Sequence, residues 1–170
     1  MSSPEDAAAK ARWFEEHWRK HVPFNVEIGL EITDWEPGFV RARVPYQAKL
    51  SAHDGIFHGG VLSSAIDAIA GGAVVAGHDF TLGSRFTTVN LSVSFLSVAK
   101  GDEIIVEGHC LRRGRRLNFA RGTVLGVDGT LIAEGMVTLS TAGERPRVGI
   151  PESGTAAEQP GSTRDQPPSR

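Results

Sequence analysis

Apolar and polar side chains alternate with a period of two in six stretches of this chain and fall into a helical period in two others. The first alternating pair, residues 26–35 and 39–46, is separated by Glu36-Pro37-Gly38, a turn sequence. A loop over 47–57 leads into the most apolar stretch, 60–77, whose length and Ala, Leu and Ile spacing predict a buried helix. Leu62, Ile66, Ile69 and Ala73 form one stripe of it, placed to face a sheet. Strands are predicted over 85–95, 103–112, 117–127 and 130–140. Asp128-Gly129 is a strong hairpin signal for the last pair, and Arg113-Gly114-Arg115 turns the pair before it. Short turns between consecutive late strands mean an antiparallel sheet, and one central helix must cover its apolar face. The expected class is therefore α+β, a sheet wrapped around one long helix.

The chain's two ends lie outside that pattern. Ser3 can cap a helix, Pro4 suits its first position, and Glu5 and Asp6 sit in its first turn. Arg19 and Lys20 match the dipole at its end, Trp13, Phe14 and Trp18 give it one apolar face, and Pro23 stops it. From Gly143 onward, 28 residues contain five of the nine prolines and no aromatic residue. Such a segment cannot bury enough to offset its ordering entropy, so it reads as a disordered tail. The expected organisation is an N-terminal helix over 1–22, a folded domain over 23–142 and a tail over 143–170.

Composition narrows the function classes. Hydrophobic residues make up 40% of the 170 and charged ones 22%, with a net charge of −2, ordinary for one globular core. A nearly neutral chain has no bulk electrostatic reason to bind nucleic acid or an anionic membrane, and no apolar run is long enough to span one. The acidic start, without an early apolar run, is unlike a secretory signal, so a cytoplasmic location is expected. One cysteine, Cys110, leaves no internal disulfide and no cysteine-based zinc cluster.

One charge stands out in the apolar stretch. Asp67 is its single carboxylate, on a stripe of small residues with Gly60, Ser63, Ser64, Gly71 and Val74, about 100° from the sheet-facing stripe. Small residues let a ligand or another backbone come close. Asp67 is a partly exposed polar residue, or accepts hydrogen bonds from Ser63 or Ser64, or is a base, since an apolar setting raises a carboxylate's pKa. The helix start, His58-Gly59-Gly60, offers bare backbone N–H groups to an anion or developing oxyanion, or merely makes a tight turn into the helix.

Phe57-His58-Gly59-Gly60-Val61-Leu62 followed by Ala65-Ile66-Asp67 resembles the HGG-x(6)-D signature of PaaI-type hotdog-fold acyl-CoA thioesterases. The run 87–96, TTVNLSVSFL, resembles that family's strand after the helix, and the likeness extends over about 25–141. The resemblance implies a hotdog fold. It implies Asp67 as general base or nucleophile, Gly59 N–H as the group polarising the thioester carbonyl, His58 as its neighbour, and Thr88 as a hydroxyl holding the attacking water. Gly60, Ser64 and Asn90 would line the substrate. Arg113 and Arg115, in a cluster with Arg112 and Arg116, would meet the phosphates of CoA, unless these arginines only solubilise an exposed hairpin. Where relatives often carry a loop Asn, this chain has Ala52, flanked by His53 and Asp54.

Gly59 and Asp67 are eight residues apart, about 12 Å along a helix axis. One chain cannot easily bring both to a single carbonyl, whereas two antiparallel helices can, so a homodimer or a dimer of dimers is expected. A thioester is already electrophilic, so neither metal nor cofactor is expected. The alternative is a hotdog domain that binds an acyl thioester or another ligand without hydrolysing it. Trp13, Trp18, Phe57 and Phe80 are candidates for an acyl pocket or for the core.

Overall fold

The computed structural model of the protein describes residues 22–76 and 85–142. The tail over 143–170, the expected N-terminal helix except for its last residue, and Trp13, Trp18 and Phe80 lie outside the described residues.

A short helix α1, Pro23–Glu27, opens the described chain, followed by β1, Glu31–Glu36, and β2, Phe39–Pro45. A 3-10 turn, Ala48–Leu50, leads to two small strands, β3, Ser51–His53, and β4, Ile56–Phe57. The long helix α2, Gly59–Val75, comes next, then β5, Arg85–Phe95, β6, Glu103–Arg113, β7, Leu117–Gly126, and β8, Leu131–Ala142. Six strands form one antiparallel sheet in the order β1-β2-β6-β7-β8-β5, with β3 and β4 as a separate pair. The sheet wraps α2, which is the hotdog arrangement.

The strand expected over 26–35 needs correcting. Val26, Ile28, Leu30 and Ile32 alternate like a strand, yet Pro23 occupies the first turn of a helix that contains Val26 and Glu27. Gly29 breaks that helix at φ +71°, and the strand begins only at Glu31. The 47–57 loop likewise carries the short β3–β4 ladder.

Leu62, Ile66, Ile69 and Ala73 are all buried against the sheet, as their spacing requires. What lets α2 come so close is a row of three glycines. Gly108 pairs with Gly122 and Gly122 with Gly135, in register across β6, β7 and β8. A Cβ on Gly108 would lie 2.3 Å from the Ile69 carbonyl oxygen, and one on Gly122 would lie 2.8 Å from Ile66 Cγ2. The row is a trench cut for the middle turn of the helix. The small-residue stripe divides in consequence. Gly71 and Val74, at its C-terminal end, are buried, with Gly71 against Leu139, while Ser63, Ser64 and Asp67 remain partly open.

Candidate active site

His58 is the N-cap of α2, and its Nδ1 accepts a 2.8 Å hydrogen bond from the Gly60 N–H. With Nδ1 accepting, the neutral ring carries its proton on Nε2. Gly60 is thereby spent on the cap. Gly59, the first residue of the helix, donates its N–H to no acceptor among the described residues. The hydroxyls of Ser63 and Ser64 turn back to the carbonyls of Gly59 and Gly60, at 3.0 and 2.8 Å, rather than to Asp67. That removes the simplest structural use for the carboxylate.

Asp67 takes its hydrogen bond from the sheet instead, where Thr88 Oγ1 on β5 donates to Oδ1 at 2.8 Å in a part-buried setting. The hydroxyl has one proton, and it goes to the carboxylate. Thr88 therefore orients the acid, and its oxygen keeps lone pairs with which to accept from a water.

Asn90 does not join this group from the same chain. A strict period of two would put residues 88 and 90 on one face, but β5 bulges between them. Thr88 pairs with buried Leu139 on the helix side, whereas Asn90 pairs with Thr138, which in turn opposes Phe119 on the outer face. The bulge residue, Val89, is exposed.

The arginine cluster divides too. Arg113 reaches back to the C-terminus of α2, where Nε donates to Val74 O and a terminal nitrogen donates to Ala73 O and Ala76 O, all at 3.0–3.1 Å. A cation at the negative end of the helix dipole, filling three orphan carbonyls, is a structural cap, and the guanidinium is committed there rather than held out for a phosphate. Arg115 remains exposed on the same turn. Phe57, offered as pocket or core, is core: it is 3% exposed and packs edge-on against Tyr46. His53 and Asp54 lie exposed at the β3–β4 turn.

One neighbour of the site escaped the sequence. Phe95, at the far end of β5, brings the tip of its ring to Gly59, with Cε1 and Cζ each 3.3 Å from where a Cβ there would stand. The two candidate groups thus rest on opposite ends of one strand, Gly59 against Phe95 and Asp67 against Thr88. Among the described residues that strand is a sheet edge, paired only with β8.

A model of the thioesterase superfamily matches residues 54–133, which hold the helix, β5, β6 and β7. The medium/long-chain acyl-CoA thioesterase YigI of Salmonella typhimurium is 30% identical over 132 residues, covering 69% of this chain and 84% of that protein. The chain belongs to the thioesterase superfamily. The solved structure of Rv1847/MT1895 from Mycobacterium tuberculosis aligns with a TM-score of 0.67 at 30% identity, covering 74% of this chain and all of that one. A thioesterase family protein from Silicibacter pomeroyi aligns with a TM-score of 0.71 at 26% identity, over 81% of this chain and 99% of that one. This membership makes thioester hydrolysis the reaction class of the superfamily member described here. Among the described residues no helix is long and apolar enough to cross a membrane.

Proposed function

We propose that the protein hydrolyses acyl-CoA thioesters to the free acid and CoA, at sites shared between two copies of the chain. The observation that carries this reading is the Thr88–Asp67 hydrogen bond, which holds a lone, part-buried carboxylate on the helix face left open by small residues. The acyl-CoA class is supported by the likeness to YigI, a medium/long-chain acyl-CoA thioesterase.

In the proposed reaction the thioester carbonyl accepts the free Gly59 N–H. Asp67 of the other copy takes a proton from a water whose oxygen attacks the carbonyl carbon, or attacks that carbon itself to give a mixed anhydride that water later hydrolyses to the free acid, while negative charge grows on the carbonyl oxygen. The C–S bond then breaks and CoA leaves as thiolate. An oriented base contributes roughly 10²–10⁴-fold, and one oxyanion donor about 3–4 kcal/mol. No step calls on a metal or cofactor. Arg115, with its side chain free at the β6–β7 turn, is the proposed contact to the CoA phosphates.

The dimer follows from the two half-sites. Antiparallel pairing of β5 with a second β5, about a two-fold axis near Leu91, would set Gly59 and Phe95 of one copy beside Asp67 and Thr88 of the other. It would also satisfy an 11-residue edge that exposes Val89, Leu91 and Phe95. Intersubunit complementation tests this directly. Asp67→Asn removes the base, and Gly59→Pro removes the donor at the first helical position, where proline suits the backbone and His58 at ψ 136° already has the preceding geometry, its added Cβ needing the half-exposed Phe95 ring to give by a few tenths of an ångström. Each variant alone should be dimeric and nearly inactive. Chains refolded together at equal amounts give about half heterodimers with one intact site each, hence about a quarter of wild-type activity. A mixture no more active than its components would refute the shared site, and an active Asp67→Asn would remove Asp67 from the chemistry.

A further inference from the structure

We infer that Phe95 is a specificity-determining residue, a wall that admits straight acyl chains and excludes those branched beside the thioester carbonyl. The inference rests on the acyl-CoA reading above and deepens it by assigning the acyl side of the site.

The geometry begins at Gly59. From standard bond lengths a Cβ lies about 2.5 Å from its own nitrogen, so a ring 3.3 Å from that point is within about 6 Å of the N–H. A carbonyl oxygen accepting from that N–H sits about 2.9 Å from the nitrogen. The carbonyl carbon and its first substituents, one and two bonds beyond the oxygen, fall in the same range of distances from the nitrogen as the ring. Phe95 is on the helix-facing side of β5, paired with buried Ala133, and yet is 55% exposed. Leu96 and Val98, which follow it, are exposed apolar side chains as well, with exposed Ser97 between them.

Chemistry then chooses between the two sides of the thioester. The pantetheine arm on sulfur carries amides that need hydrogen-bond partners, and Phe, Leu and Val side chains offer none. An alkyl chain needs only apolar surface, and each methylene laid on it raises binding about fourfold. A methyl on the carbon next to the carbonyl would crowd the tip of the ring, and steric overpacking of this kind costs about ten- to a hundredfold. Gly59 is bare for the same reason, since the ring leaves its side-chain position little room.

The test compares kcat/KM for C4–C12 straight-chain acyl-CoAs, and for the 2-methyl counterpart of whichever is turned over fastest. Wild type should favour the straight chain by about tenfold or more. Phe95→Ala should bring that ratio to about threefold or less, with Phe95→Leu between them as a smaller change that preserves packing if the alanine variant does not fold. Light scattering accompanies each assay. An unchanged ratio in a dimeric variant overturns the inference. So does an equal loss on every substrate with dissociation to monomers, which would make Phe95 an interface residue only. Asp67→Asn is measured on the same substrates. If wild type turns over none of them, the acyl-CoA reading fails and takes this inference with it. If wild type is active and Asp67→Asn is not, while the branching ratio ignores Phe95, the inference fails alone.

Discussion

Thr88→Val isolates one hydrogen bond at the proposed base. Both side chains are β-branched and of nearly equal volume, so the strand and its packing are kept while the hydroxyl goes. What is lost is a 2.8 Å bond to a carboxylate that makes no other hydrogen bond to a side chain among the described residues. Hydrogen bonds to charged groups contribute about 1.5–3 kcal/mol, and 1.4 kcal/mol is a factor of ten in rate, so kcat should fall roughly 10- to 150-fold. An orienting role acts on the chemical step, so KM should move little. Thr88→Ser keeps the donor and should recover most of kcat. Release of CoA thiol gives the rate. The protein's own Cys110 adds little background, because burial pushes its thiol above the ordinary cysteine range despite the neighbouring Arg113, keeping it protonated and slow to react. A Thr88→Val enzyme within twofold of wild type would refute the orienting role, and so would a serine variant as impaired as the valine one.

Two further predictions concern residues that the structure separates. Arg113→Ala should lower unfolding free energy by roughly 2–4 kcal/mol in urea, since three carbonyls at the end of α2 lose their donor, while Arg115→Ala should leave the melt unchanged and raise KM for CoA thioesters. A main effect of Arg113→Ala on KM would return that guanidinium to the substrate. Gly108→Ala should cost about 3 kcal/mol or more in thermal melts, because its Cβ would stand 2.3 Å from the Ile69 carbonyl oxygen. Gly55→Ala is the control: nothing lies within 4 Å, and only its φ of +71° is penalised, by about 1–2 kcal/mol.

Most of the fold was legible because its signals are local. Strand β5 begins and ends where alternation begins and ends, and Asp128 accepts from both the N–H and the hydroxyl of Thr130 in the turn that Asp128-Gly129 announced. The misread stretch, 26–30, shows the limit, since Val26, Ile28 and Leu30 alternate by chance on a helix and its exit. Pro23 at a first helical position and Gly29 after it were the opposing signals. The bulge at Val89 left no mark in the sequence, because it depends on β5 pairing with β8, and it decides that Thr88 and not Asn90 meets Asp67. The task of Arg113 depends on a helix end 37–40 residues away in sequence, so its neighbours in the chain suggested only a charged turn. Phe95 was visible as one more apolar residue in an alternating strand. The glycine row could have been found, since a lone Gly in the middle of three successive strands already signals close backbone approach.

That row also joins the fold to the chemistry. Asp67 lies one residue beyond Ile66, whose side chain meets the trench at Gly122 and Gly135, and two before Ile69, whose backbone meets it at Gly108. Such contacts fix both the height of α2 over the sheet and its rotation about its own axis. Advancing the helix by one residue would turn Asp67 by about 100°, toward the buried strands and away from Thr88. Raising it to admit a single Cβ at Gly108 would stretch a 2.8 Å hydrogen bond beyond useful length. The position of Asp67 is thus determined by residues that share no chemistry with it. The same seating sets Gly59 against Phe95, so the spacing between the two half-sites is a property of the helix and the edge strand together. A second copy of that strand, paired antiparallel, would find the complementary half already at the right height.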